Sequence, residues 1–207
     1  MDRIQESIEQ SIEVKKMILS DEKMIQSIKD AVDIIVDSLR NGGKIHFCGN
    51  GGSAADSEHM VGELMKGFLC KRKVNDDRLS TELKENLQGA LPAISLCSQT
   101  AFMTAFNNDL DPDYVFAQQV YGLGKENDLL IAISTSGNSK NVLKAVEVAN
   151  CIGVKTLALT GCNGGKIKEM ATVTITAPSS ETYKIQEYHL PIYHYLCGKV
   201  EEEFFDE

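Results

Sequence analysis

Tryptophan is missing from this 207-residue sequence, and proline and histidine occur four times each. No stretch is long and apolar enough to span a bilayer, so no membrane partner is expected. The opening Met1-Asp2-Arg3-Ile4-Gln5-Glu6 lacks the hydrophobic centre of a secretory signal. The six cysteines (48, 70, 97, 151, 162, 197) form no CxxC pair, and several lie inside apolar runs as buried small hydrophobes do. A reduced, cytoplasmic setting is the expectation that follows. Positive charge is also scarce, with 21 Lys and Arg against 30 Asp and Glu and a net charge of −9. Nucleic acid is thereby excluded as the main partner, because binding a phosphate backbone needs a basic face. Much of the acid gathers in Glu201-Glu202-Glu203-Phe204-Phe205-Asp206-Glu207, which reads as a solvated helix end. A locally positive anion pocket remains compatible with this acidic whole. There is no internal repeat.

The length suits one domain over 1–207 with room for a full core, and an apolar fraction of 43% is ordinary for a globular chain. Residues 2–41 contain neither Gly nor Pro and show helical spacing at Ile4, Ile8 and Ile12, then at Ile25, Ile28, Val32, Ile35, Val36 and Leu39. Asp21, with Met24 three residues on, marks a break between two helices. The first of these precedes every strand. Its isoleucine stripe either covers the domain or packs on another subunit.

From residue 44 the pattern alternates. Strand-like runs at 44–48, 92–97, 129–134, 155–160 and 172–177 separate helix-like runs at 53–68, 99–107, 113–124, 139–151 and 183–203. Such alternation predicts an α/β fold: a doubly wound, mostly parallel five-stranded sheet flanked by helices, behind an N-terminal helical extension of residues 1–42. Residues 71–90 read as an inserted polar loop, a lid or a tolerated insertion, with a short helix at 80–88.

Two turns carry most of the functional signal: Gly49-Asn50-Gly51-Gly52-Ser53 and Ser134-Thr135-Ser136-Gly137-Asn138-Ser139. Each follows an apolar strand-like run and opens a helical pattern. A strand that turns directly into a helix aims unpaired N–H groups and the positive dipole end at one spot. Glycine admits an anion close to the backbone, and hydroxyls add donors. Either turn alone is ordinary turn chemistry. The pair points to a phosphate-bearing ligand at the carboxyl ends of the strands.

Beyond the first turn, His59 and Glu63 stand four residues apart, hence on one helix face. The last helix carries Gln186, His189 and His194, with Pro191 inside it at the cost of a backbone hydrogen bond. A set of His and Glu side chains suits either a zinc-type metal or metal-free proton transfer, although a helical His–Glu pair is also an ordinary surface ion pair. His46, within a strand, reads as a packed and hydrogen-bonded residue. Asn107-Asn108-Asp109 precedes the turn signal Asp111-Pro112, so Asp109 is either a cap or a sugar-hydroxyl acceptor. The glycine-rich stretch 160–165 reads as structural.

The two turns, together with Ile185-Gln186-Glu187-Tyr188-His189, resemble the sugar isomerase (SIS) domain family over nearly the whole chain. The spacings His59-x3-Glu63 and Gln186-x7-His194 resemble its phosphoheptose isomerase branch. That resemblance implies isomerisation of sedoheptulose 7-phosphate to D-glycero-D-manno-heptose 7-phosphate for surface-glycan precursors. It implies a cytoplasmic homotetramer with active sites between subunits. Asn50, Gly51, Gly52, Ser53, Ser134, Thr135, Ser136 and Ser139 would hold the phosphosugar, with Asn108, Asp109, Glu63 and Gln186 also touching it. His59, Glu63, Gln186 and His194 would bind one Zn2+, and Glu63 and His194 would transfer the proton. Two departures bear on the sugar. Gly67, beside Lys66, stands where many relatives carry Arg, and Tyr183 stands where they carry Asp. They leave open an isomerase of another sugar phosphate. A non-catalytic module that senses a phosphosugar or binds a protein is the other alternative.

Overall fold

A computed structural model of the chain describes residues 2–205. Helices α1 (Arg3–Ser20) and α2 (Glu22–Arg40) meet at Asp21, whose carboxylate accepts the Met24 N–H at 3.0 Å. The N-cap breaks one long apolar pattern into two helices where the sequence predicts. Helix α2 buries Met24, Ile28, Ala31, Val32, Ile35, Val36 and Leu39 along one stripe. Helix α1 buries only Val14 and leaves Ile4, Ile8 and Ile12 67%, 57% and 46% exposed.

Five parallel strands follow: β1 (Ile45–Gly49), β2 (Ala93–Ser95), β3 (Leu129–Ile133), β4 (Lys155–Thr160) and β5 (Val173–Thr176). Their order is β2-β1-β3-β4-β5. Between them run α3 (Gly52–Met65), α4 (Thr81–Asn86), α5 (Thr100–Asp109), α6 (Val115–Leu123), α7 (Lys140–Cys151) and α8 (Ile167–Met170), with α9 (Thr182–Phe205) closing the chain. Successive strand residues point to opposite faces, and two cores result. Phe47, Ile131, Leu157 and Leu159 join side chains of α2, α3 and α9 on one face. Cys48, Leu130, Ala132 and Ala158 join those of α6 and α7 on the other. This is the doubly wound sheet expected from the alternation.

The strand order reverses between β1 and β3, because the chain leaves β1 toward β2 and returns past it to β3. Ligands of such sheets bind at the carboxyl end of that switch point. Both phosphate-type turns lie there, one after β1 and one after β3. At the opposite end, the buried Asp128 carboxylate accepts the Lys44 N–H at 2.9 Å and the Lys125 N–H at 3.0 Å, and pairs with His46 Nε2 at 2.9 Å. His46 is thus the packed residue the sequence suggests. Burial pulls its imidazole below the ordinary histidine range, against the Asp128 carboxylate.

Two expectations need correction. The acidic end is not wholly solvated, since Glu201 is 1% exposed and bonded to the equally buried Arg72. Its last two residues, Asp206 and Glu207, lie outside the described residues. Helix α3 also stops at Met65 rather than running to residue 68. Lys66 is extended, and the Phe68 and Leu69 amides turn away from the helix to the Glu201 carboxylate at 2.8 and 2.6 Å. The insertion contains α4 within the predicted 80–88. No helix among the described residues is long and apolar enough to cross a membrane.

Candidate active site

The first turn leaves β1 at Gly49 and enters α3 through Gly51, whose φ of +56° suits a residue without Cβ. At Gly52 a Cβ would overlap the side-chain amide of Gln186, so glycine here lets α9 lay that amide on the start of α3. Ser53 is buried in the first turn of the helix. In the second turn, the Ser134 hydroxyl donates to the Ser139 hydroxyl at 3.0 Å, and Gly137 takes a φ of +64° against the backbone of Gly164 and Gly165. The 160–165 stretch therefore supports that turn, as its structural reading requires. Ser136 and Thr135 reach the surface while Ser134 is buried. Asn50 and Asn141 exchange side-chain amide hydrogen bonds of 2.9 Å in both directions and tie the two turns together.

Helix α3 then brings His59 Nε2 to 3.2 Å from Glu63 Oε1. Lys66 Nζ lies 3.3 Å from the other carboxylate oxygen, so each oxygen faces a nitrogen. Helix α9 delivers His194 from 131 positions along the chain, and its ring centroid stands 5.0 Å from that of His59 in an edge-on contact. The ring of Phe68 packs 5.7 Å from His194 on another side. His194 Nε2 is buried with no hydrogen-bond partner. Burial, followed by the neighbouring His59, lowers its imidazole below the ordinary range, while Glu63 pulls the other way.

A network unseen in the sequence backs this cluster. The buried Tyr193 hydroxyl lies 3.0 Å from His59 Nδ1 and 3.3 Å from Asp56 Oδ1, to which it donates. With that hydrogen given to Asp56, the hydroxyl oxygen is free to accept from His59 Nδ1, while Nε2 lies against the Glu63 carboxylate. Burial raises the Asp56 carboxyl above its ordinary range despite the Tyr193 hydrogen bond, and raises the Tyr193 phenol as well. Tyr193 precedes His194 in sequence, and nothing in residue type or spacing distinguishes it from a core aromatic.

The other histidine of α9 is not part of the cluster. His189 is fully buried, and its Nε2–H donates to the Thr160 carbonyl at 3.3 Å. Asn108 and Asp109 are exposed at the end of α5, joined to each other by a 2.8 Å bond. The cap at that point is Asp111, which accepts the Asp113 N–H at 2.9 Å. His59, Glu63 and His194 offer the donor types a divalent ion takes, and the unpartnered buried His194 nitrogen fits a ligand role. Among the described residues, no three His, Cys, Asp or Glu side chains stand close enough together to hold a metal.

Known proteins resemble this chain in sequence and in fold. Residues 8–161 match the family model described as SIS domain. The chain is 43% identical over 187 residues to the phosphoheptose isomerase of Helicobacter pylori, covering 88% of this chain and 89% of that protein. It is 39% identical to that of Clostridium acetobutylicum, covering 99% and 96%. The solved phosphoheptose isomerase of Neisseria gonorrhoeae superimposes with a TM-score of 0.82 at 34% identity, over 97% of this chain and 98% of that one. A doubly wound sheet with two phosphate-type turns at its switch point, matched by that model, makes this chain a member of the SIS domain family. Within it the chain is one of the phosphoheptose isomerases, an enzyme rather than a sensing module.

Proposed function

We propose that this enzyme converts sedoheptulose 7-phosphate to D-glycero-D-manno-heptose 7-phosphate by moving a proton between neighbouring sugar carbons. The observation that carries the reading is the meeting of Glu63 and His194 around the His59 ring, beside the switch point. The turn amides and the hydroxyls of Ser53, Ser134, Thr135, Ser136 and Ser139 bind the phosphate, and Asn50, Asn108, Asp109 and Gln186 bind the sugar. Binding energy from the phosphate fixes carbons that lie far from it. Glu63 takes the proton from C1 of the ketose, and His194, facing it, serves as the opposing acid and base while C2 is protonated. Burial and the neighbouring His59 lower the His194 pKa and so favour the neutral imidazole, in keeping with a group that exchanges protons with an enediol.

His59, Glu63, Gln186 and His194 would hold the Zn2+, and when bound it supplies a Lewis acid that polarises the carbonyl oxygen. Glutamine is an unusual zinc ligand, so the metal is loosely held and activating rather than structural. The exposed isoleucine stripe of α1 supports a homotetramer in which this helix packs on a neighbour and the active sites lie between subunits. The acidic chain, whose cysteines form no CxxC pair, supports a cytoplasmic enzyme feeding surface-glycan synthesis.

Tyr183, exposed one turn before Gln186, keeps one variant of this reading in view, an isomerase for a different sugar phosphate. A panel of C5 to C7 phosphoketoses decides between them, with products followed by NMR in D2O. Turnover of sedoheptulose 7-phosphate with deuterium at C2 of the product supports the proposal. Turnover confined to shorter sugars overturns the assigned substrate.

A further inference from the structure

Arg72 is the second residue of the inserted segment, yet it is 2% exposed. Its guanidinium donates from Nη2 to the Glu63 carbonyl at 2.8 Å and from Nη1 to the Leu64 carbonyl, capping the last turn of α3. Its Nε donates to Glu201 Oε1 at 2.7 Å, with side-chain exposures of 0% and 1%. Glu201 also accepts the Phe68 and Leu69 amides. The ion pair thus ties the end of α3 to Phe68 and Leu69, the two residues beyond Gly67, and through a longer Nη1 bond of 3.5 Å to the Gly89 carbonyl. Burial alone would raise the Glu201 carboxyl, but these hydrogen bonds outweigh it and hold it below the ordinary range.

The pair sits where it matters for geometry. Glu63, whose own carbonyl Arg72 holds, lies on α3. Glu201 lies seven residues after His194 on α9, two turns on and along the same face. The insertion is fixed to the same spot. Gly89 N–H donates to the Arg72 carbonyl at 3.0 Å, Gln88 accepts the Gly67 N–H at 2.7 Å, and the Phe205 ring covers the guanidinium at 4.8 Å.

We infer that Arg72 and Glu201 form a staple that sets the separation of the Glu63 and His194 helices, and that segment 71–90 exists to bring Arg72 there. They are positioning residues, acting through α3 and α9 without touching the substrate. The inference rests on Glu63 and His194 as the proton-transfer pair. A buried ion pair exchanged as a unit for apolar side chains of similar size often leaves stability intact, whereas breaking one half does not. The double variant Arg72→Met with Glu201→Leu therefore separates position from folding.

Its melting temperature and circular dichroism are measured beside kcat and KM for sedoheptulose 7-phosphate. The expected result is a folded protein, KM within about twofold, and kcat lower by roughly 10- to 100-fold, the scale of a small misplacement of reacting groups. If the double variant does not fold, Arg72→Lys takes its place, keeping the charge but losing the planar fork. A lowered kcat at constant KM again supports the staple. Wild-type kcat in a folded variant, or a raised KM with kcat untouched, overturns it while leaving Glu63 and His194 in their roles. A wild-type protein without isomerase activity sinks both.

Discussion

Asn50 and Asn141, 91 residues apart, each donate an amide hydrogen to the other's carbonyl oxygen at 2.9 Å. The bonds join the turn after β1 to the start of α7 after β3, and so hold the two phosphate-type turns at a fixed spacing. Asn141→Ala removes both bonds from an exposed site, where each contributes about 0.5–1.5 kcal/mol. KM for the phosphosugar is expected to rise about tenfold with kcat changed far less, since the lost order concerns the phosphate and not the reacting carbons. Steady-state kinetics checks the split, and an equal fall in kcat at constant KM contradicts it.

The hydroxyl of Tyr193 serves two partners at once. Tyr193→Phe leaves Asp56 Oδ1 without its donor beside Oδ2, which already has none, and frees the His59 ring. Stability should fall by about 1–3 kcal/mol, the usual cost of a stranded buried acceptor. In addition kcat should drop more than in a surface control, because His59 loses the contact that fixes its orientation. Urea titration and turnover measured together check both halves.

How much of this was legible beforehand varies with the physics involved. The strands were readable because five apolar runs are separated by helical spacing, and their two-sided burial leaves no ambiguity of face. The break at Asp21 and the two turns were readable because caps and glycine-rich turns have local chemistry. Glu63 and His194 came from a spacing shared with a family, and the fold shows why α3 and α9 can meet. Arg72 and Glu201 were misread as insertion and tail because each is an ordinary surface residue until its partner, 129 positions away, is known. The Asp56–Tyr193–His59 network was invisible for the same reason. Long-range polar pairing leaves no periodicity.

Acid should act on His189. Its pKa is pushed down to about 4, by burial first and against the Thr160 carbonyl bond, whereas in the unfolded chain it lies near 6.5. Between those values the unfolded state binds the extra proton, so this residue's share of stability is complete above about pH 7 and is lost as pH falls toward 4. Compared with His189→Gln, the wild type should lose about 2 kcal/mol more between pH 7 and pH 5. Denaturant titration at the two pH values checks this, and parallel losses in both proteins contradict it.

Treatment with a chelator should lower kcat and leave the melting temperature nearly unchanged, with Zn2+ restoring activity, as a loosely held activating ion would behave. His59→Ala should bind Zn2+ more weakly in a competition titration with a chromogenic chelator. Equal affinity in the variant removes His59 from the ligand set.

The central claim is that the Glu63 carboxylate carries the proton, and Glu63→Gln tests it most directly because the amide keeps size and polarity but is not a base. Turnover of sedoheptulose 7-phosphate is followed by NMR in D2O, and binding of the same sugar by calorimetry. The account predicts binding within a few-fold of wild type, with product formation and deuterium incorporation reduced by at least about 10²-fold. A Glu63→Gln enzyme that binds the sugar and turns it over at the wild-type rate would contradict it.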